Sequence, residues 1–203
     1  MPDVLPLYQR LVKIHFNIES DIAKENFLKH LGGGLKNHLV QLSSFTNKNL
    51  TEDELERLTN EFASEFHEKI VTARLFPEVK EVLNKLHKNG YDLAVSSGML
   101  QDKLNIVVKM KEVYKYFRFV LGTKNSFSKG FAHFNFISNK LKLKPEKMVF
   151  VGDGDYDMKV GRQYGCFTVG RVDQISAETL IIAGADTVIC GLKELFPLLK
   201  RFD

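Results

Sequence analysis

"MVFVGDGDYDMKVGRQYG", Met148 to Gly165, runs from apolar, strand-forming residues straight into three aspartates, Asp153, Asp155 and Asp157. Carboxylates crowded this closely raise one another's pKa unless a cation or hydrogen-bond donors neutralise them. A chain that folds around them is expected to hold a metal there. A short apolar strand that turns through glycine into a helix is also the unit from which α/β folds are built.

The same unit recurs on both sides of this stretch. From Phe76-Pro77 onward, helix "PEVKEVLNKLHKNG" is followed by strand "YDLAVSS", helix "MLQDKLNIVVKM", strand "FRFVLG" and helix "GFAHFNFISNKLKL". After strand "KMVFVGD" and helix "DMKVGRQYG" come strand "CFTVG", helix "SAETLIIAG", strand "DTVIC" and helix "LKELFPLLKRF". Short strands alternating with helices of about ten residues predict right-handed crossovers and a mostly parallel sheet, buried on both faces. Ligands of such sheets sit beyond the carboxyl ends of the strands.

Before Phe76 the pattern is helical throughout, as in "LYQRLVKIHF" and "ESDIAKENFLKHL". "TEDELERLTNEFASEFHEKI" opens with Thr51 and has Glu54 three residues on, a capping-box spacing. "LGGG", Leu31 to Gly34, reads as a helix stop and turn. A phosphate loop is the other reading, but no strand precedes it and no Lys-Ser/Thr follows. Three segments are expected: residues 1–15 as a linker, 16–74 as a small helical cap, and 75–203 as a Rossmann-like α/β core.

Composition agrees with a globular chain. Of 203 residues, 44% are hydrophobic and 27% charged, and the net charge of +4 comes from 29 basic and 25 acidic side chains that are interspersed. That is a solvated surface rather than a nucleic-acid footprint. No apolar stretch approaches the roughly 18 residues of a membrane span. Cys166 and Cys190 each sit in a short apolar run read as a buried strand. Free buried thiols and no secretory signal point to the cytoplasm. The six histidines are scattered on helices and are read as surface or core-edge residues, and Phe131, Phe134 and Phe136 as core. "GDG" lacks the G-x-G-x-x-G of a dinucleotide fold.

Three strand ends carry complementary groups. Ser96 and Ser97 close "LAVSS" with hydroxyls and backbone N–H groups where a loop turns into a helix, an anion cradle. Ser97 as a plain helix cap is the alternative. Lys129, in "NSFSKGF", offers an ammonium to an anion at the same edge, and is otherwise a surface residue. Asp153, Asp155 and Asp157 supply hard oxygens suited to Mg²⁺, which keeps water or substrate oxygens in its other positions. Asp157 as a helix N-cap and Asp155 as a first-turn dipole partner is the competing account.

In order and placement these motifs resemble the haloacid dehalogenase-like superfamily of phosphohydrolases, in its phosphoglycolate phosphatase and β-phosphoglucomutase-like branch. The resemblance covers the whole chain, from a helical cap through "VSS" and Lys129 to "VGDGDYD" and the closing strands and helices. It implies that Ser96 binds the transferring phosphoryl group, with Ser97 beside it, and that Lys129 neutralises its charge. It further implies that Asp153 coordinates Mg²⁺ and Asp157 supports the site, while Asp155 fills a variable position.

The family's aspartate nucleophile, in a D-x-D motif ending a first strand, has no counterpart here. "MPDVLPLYQRLV" offers only Asp3, without an apolar strand before it. That strand, in the family, lies between the strands assigned to "YDLAVSS" and "KMVFVGD". Its absence leaves three expectations: a longer chain supplies it, the sheet closes over the gap, or the fragment folds poorly. Asp153 or Asp155 as a permuted nucleophile is set aside because no acid cluster then remains for the metal. The expected function is a Mg²⁺-dependent phosphatase of a small phosphorylated metabolite, acting through an aspartyl-phosphate. The alternatives are an inactive relative that binds a phosphorylated ligand or a partner protein, and, more remotely, a mutase.

Overall fold

The computed structural model describes residues 4–30 and 34–202; Asp3 and Leu31 to Gly33 lie outside them. Four helices come first: α1 (Leu5–Phe16), α2 (Ser20–Lys29), α3 (Leu35–Phe45) and α4 (Glu52–Thr72). Their apolar residues recur at helical spacing, so α1 buries Leu7, Tyr8, Leu11 and Val12, and α4 buries Leu55, Leu58 and Phe62. These stripes meet in one cluster in which the Tyr8 ring packs 5.0 Å from that of Phe27 and 6.2 Å from that of Phe62. Thus α1, in the segment expected as a linker, is a full member of the bundle.

Helix α4 starts where its spacing predicts. Thr51 Oγ1 accepts from the Glu54 N–H at 3.3 Å and Glu54 Oε2 accepts from the Thr51 N–H at 2.9 Å. Replacing Thr51 by Ala removes the first of these and is expected to destabilise the protein by about 1 kcal/mol. Thermal denaturation should show a drop of roughly 2–4 °C. An unchanged midpoint would mean that the bundle holds α4 without its cap.

The rest alternates: α5 (Val79–Lys88), β1 (Ala94–Leu100), α6 (Gln101–Met110), β2 (Phe119–Thr123), α7 (Phe131–Leu141), β3 (Val149–Gly152), α8 (Asp155–Tyr164), β4 (Phe167–Arg171), α9 (Ala177–Ala183), β5 (Thr187–Ile189) and α10 (Leu195–Leu199). The first strand begins at Ala94, three residues later than expected. All strand pairs are parallel, as the crossovers require. Lys111 Nζ donates to the carbonyls of Val71 and Ala73, tying the exit of α4 to the core.

The single sheet expected from the alternation is divided. β1 pairs with β2, and β3 pairs with β4 and β4 with β5, but among the described residues no ladder joins β1 to β3. The sheet has not closed over the gap. Every residue of β3 is partly exposed, whereas Thr168, Val169 and Gly170 at the centre of β4 are buried. A buried N–H or C=O left without a partner costs about 1–3 kcal/mol, so such edges are tolerated only where something reaches them.

Four smaller expectations are corrected. Cys166 is buried just before β4, but Cys190 is exposed past the end of β5; both are free. Phe134 is core, while Phe131 stands on the outer side of α7 and is exposed. His38 and His133 are buried, not surface or core-edge residues. Among the described residues no helix is long and apolar enough to cross a membrane.

Candidate functional site

The carboxyl ends of β1, β2 and β3 open together into a cavity of about 730 Å³ roofed by the helical bundle. Ser97, Gly98 and Met99 border it from β1, Asn125 and Ser126 from the turn after β2, Lys129 from just before α7, and Asp153 from the end of β3. Phe27, His38, Phe66 and His67 face it from the bundle. Four of the groups singled out from sequence therefore meet at or beside one place: Ser97, Lys129, Asp153 and, through Lys129, Asp157.

Ser96 does not join them. Adjacent strand residues point to opposite faces, so only one of the two serines can face the cavity. The register of β1 on β2 also shifts between Ser96 and Leu100, a bulge that turns Ser97 and its successors toward the opening. Ser96 Oγ lies 2.9 Å from Nδ1 of His133, whose side chain is completely buried. His133 Nε2 is 3.1 Å from the Gly122 carbonyl, which can only accept, so Nε2 carries the proton and Nδ1 accepts from Ser96. Burial lowers the His133 pKa and keeps this tautomer neutral. Ser97 is not a helix cap either: its Oγ accepts from the Met99 N–H at 3.1 Å.

The aspartate turn is built around one close approach. A Cβ on Gly152 would fall 2.4 Å from Cβ of Asp157, so only glycine lets β3 pass that side chain. Gly154 is the N-cap of α8, which places Asp155 and Asp157 in its first turn. Asp157 Oδ2 accepts from the Gly154 N–H at 3.3 Å. Lys129 Nζ lies 2.5 Å from Asp157 Oδ1, with side chains 13% and 1% exposed. The contact is Coulombic rather than an aligned hydrogen bond, and Oδ1 keeps no hydrogen-bond partner. Burial, then the charge of Asp157, raises the Asp153 pKa. Asp155, with its side chain 15% exposed, pairs through Oδ2 with Lys159 at 2.7 Å, while its Oδ1 is buried without a hydrogen-bond partner.

The three aspartates therefore do not converge: among the described residues no group of three or more His, Cys, Asp or Glu is arranged to hold a metal. Two of them still suit a hard cation. Asp153 borders the cavity against burial and like charge, Asp157 Oδ1 has only the Lys129 ammonium beside it, and Mg²⁺ needs only one or two protein carboxylates. His133 was the functional neighbour missed in the sequence; its only signal was its place one turn after Lys129.

A parallel α/β core with its catalytic-type groups at the carboxyl edge and a helical roof places the chain in one class. Residues 5–171 match the family described as haloacid dehalogenase-like hydrolase, and the chain belongs to that family. It is similar to the phosphoglycolate phosphatase of Haemophilus influenzae (strain ATCC 51907 / DSM 11121 / KW20 / Rd), 30% identical over 128 residues, which cover 62% of this chain and 57% of that protein. The phosphoglycolate phosphatase of Vibrio vulnificus (strain CMCP6) is 28% identical over 123 residues, 58% of this chain and 54% of that one. The chain thus spans little more than half the length of these curated relatives.

Solved structures match it more fully. A predicted phosphoglycolate phosphatase from Haemophilus somnus 129PT superposes with a TM-score of 0.73 at 24% identity, covering 97% of this chain and 90% of that one. A hydrolase from Pseudomonas syringae gives 0.82 at 19%, with the same coverage. The β-phosphoglucomutase of Clostridium difficile gives 0.76 at 17%, covering 98% and 90%. At these identities the likeness carries the fold.

Proposed function

We propose that this chain binds a small phosphorylated metabolite of the phosphoglycolate or sugar-phosphate kind in the cavity over the carboxyl edge, and belongs to a cytoplasmic, Mg²⁺-dependent phosphatase. The observation that carries the reading is the meeting of Ser97, Lys129 and Asp153 on one cavity. Phosphoryl transfer develops charge on the equatorial oxygens, so the groups that matter are donors and cations placed where that charge appears. Lys129 supplies the ammonium, held in place by Asp157. Ser97, at the cavity's border, supplies a hydroxyl. Asp153 and Asp157 would hold Mg²⁺, which when bound supplies charge neutralisation for the phosphoryl oxygens. Ser96 acts one step back, fixing β1 against His133. Phe27 and Phe66 of the bundle exclude bulk water.

Hydrolysis through an aspartyl-phosphate further requires an attacking carboxylate. Among the described residues lining the cavity Asp153 is the one acid, and the metal has a claim on it. That observation favours the second reading, a phosphate-ester binder that does not turn over. Calorimetry with phosphoglycolate, with and without Mg²⁺, run beside a phosphate-release assay, separates them. Heat with phosphate release supports the phosphatase; Mg²⁺-dependent heat without release supports the binder. Neither heat nor release would overturn both.

A further inference from the structure

Among the described residues, three lysines border the 730 Å³ cavity, Lys36, Lys103 and Lys129, against one acid, Asp153. Two of the three are already matched. Lys129 pairs with Asp157, and Lys36 with Glu52 at the start of α4. The Lys103 side chain makes no ion pair or hydrogen bond with any described residue. It stands in the first turn of α6, partly buried, and belongs to none of the motifs singled out from the sequence.

Beside it, on α4, His67 borders the same cavity. Burial, and then the charge of Lys103, lower the His67 pKa against the opposing pull of Glu68, so the two side chains are neighbours and the ring is neutral near pH 7. Its Nδ1 has no hydrogen-bond partner among the described residues. Ala63, Phe66 and Ile70, within one turn of it on α4, line the cavity around it. An ammonium set between apolar side chains and a neutral ring holds a positive charge that water screens weakly. A carboxylate fits it, because the one only accepts where the other only donates, and a single negative charge meets a single positive one. A second phosphate would bring about two negative charges. A sugar hydroxyl also donates, and an ammonium offers it no acceptor.

We propose that Lys103 is a specificity-determining residue: its ammonium, with His67 beside it, binds a carboxylate carried by the phosphate ester whose phosphoryl group sits at Lys129. The assignment rests on the phosphate-ester reading of the cavity and narrows it from sugar phosphates toward phosphorylated hydroxy acids. Because α4 belongs to the roof and α6 to the core, a carboxylate held between them also ties the roof down over the ester's own phosphoryl group.

The probes are phosphoglycolate and ethylene glycol monophosphate, which replaces the carboxylate by a hydroxymethyl group of similar size, each titrated calorimetrically with Mg²⁺ present. The parent protein should bind phosphoglycolate about tenfold tighter, the effect of one charge-assisted hydrogen bond. Lys103→Met keeps the apolar stem and should reduce the preference to within about twofold, the loss falling on phosphoglycolate. Lys103→Arg keeps the charge and should keep most of the preference. If the esters are turned over, the ratio of kcat/KM replaces the ratio of Kd. Equal binding of the two esters by the parent, a preference that survives in Lys103→Met, or a Lys103→Met protein that weakens on both esters alike would each overturn the proposal while leaving the cavity a phosphate-ester site. Binding of neither ester by the parent would instead overturn the phosphate-ester reading, and this proposal with it.

Discussion

Replacing Lys129 by Met is expected to destabilise the protein by about 3–5 kcal/mol, the effect of removing one partner of a buried ion pair and leaving the other charge uncompensated. The size follows from where the pair sits. Asp157 is 1% exposed, its Oδ1 has no hydrogen-bond partner, and burial together with the charge of Asp157 raises the pKa of the neighbouring Asp153. Without the ammonium, the turn holds two carboxylates and too few donors. Adding Asp157→Asn to Lys129→Met removes the orphaned charge and should recover more than half of the loss. Urea unfolding of the two single variants and the double variant measures the coupling directly. A Lys129→Met protein within about 1 kcal/mol of the parent, a value of the size found for exposed pairs, would mean that solvent reaches the turn.

Acid is expected to loosen the bundle through His38. Its ring is 5% exposed, packs beside Tyr8 and Phe27, and has an Nδ1 without a hydrogen-bond partner. Burial, and then the neighbouring His30, lower its pKa to about 4. In the unfolded chain a histidine titrates near 6.5, so the unfolded state takes up the proton first and stability falls as pH drops below 6.5. The loss grows down to about pH 4 and then levels off. Between pH 7.5 and 5 it amounts to on the order of 2 kcal/mol, before most carboxylates protonate. His38→Gln removes the titrating group, and its stability should change much less over that interval. Parallel pH profiles for the two proteins would contradict the assignment. The rings of His30 and His38 lie 5.8 Å apart and His30 is also shifted down, so His30→Gln should reduce the slope only modestly.

Much of this architecture was legible because periodicity reports burial. The alternation after Pro77 specified parallel strands, and Thr51 with Glu54 specified where α4 begins. What escaped has a physical reason in each instance. "SS" within β1 says that one hydroxyl faces the cavity, but the bulge that decides for Ser97 is a property of pairing, not of the two residues. Crowded aspartates announce a charged turn, yet Lys159, one helical turn along, draws Asp155 away. The burial of His133 and His38 depends on neighbours far along the chain, which helix spacing alone does not contain.

The bundle's hydrophobic cluster does not stop at the bundle. Met158 of α8, Leu180 of α9 and the nearby Ile175 and Ala185 belong to it together with Tyr8 and Phe62. The helix that starts at the aspartate turn is therefore rooted in the same apolar mass as the roof above it. Two parts so joined unfold as one cooperative unit, and a ligand that grips the turn stabilises residues it never touches. The melting of the helical bundle becomes a remote gauge of occupancy at Asp153.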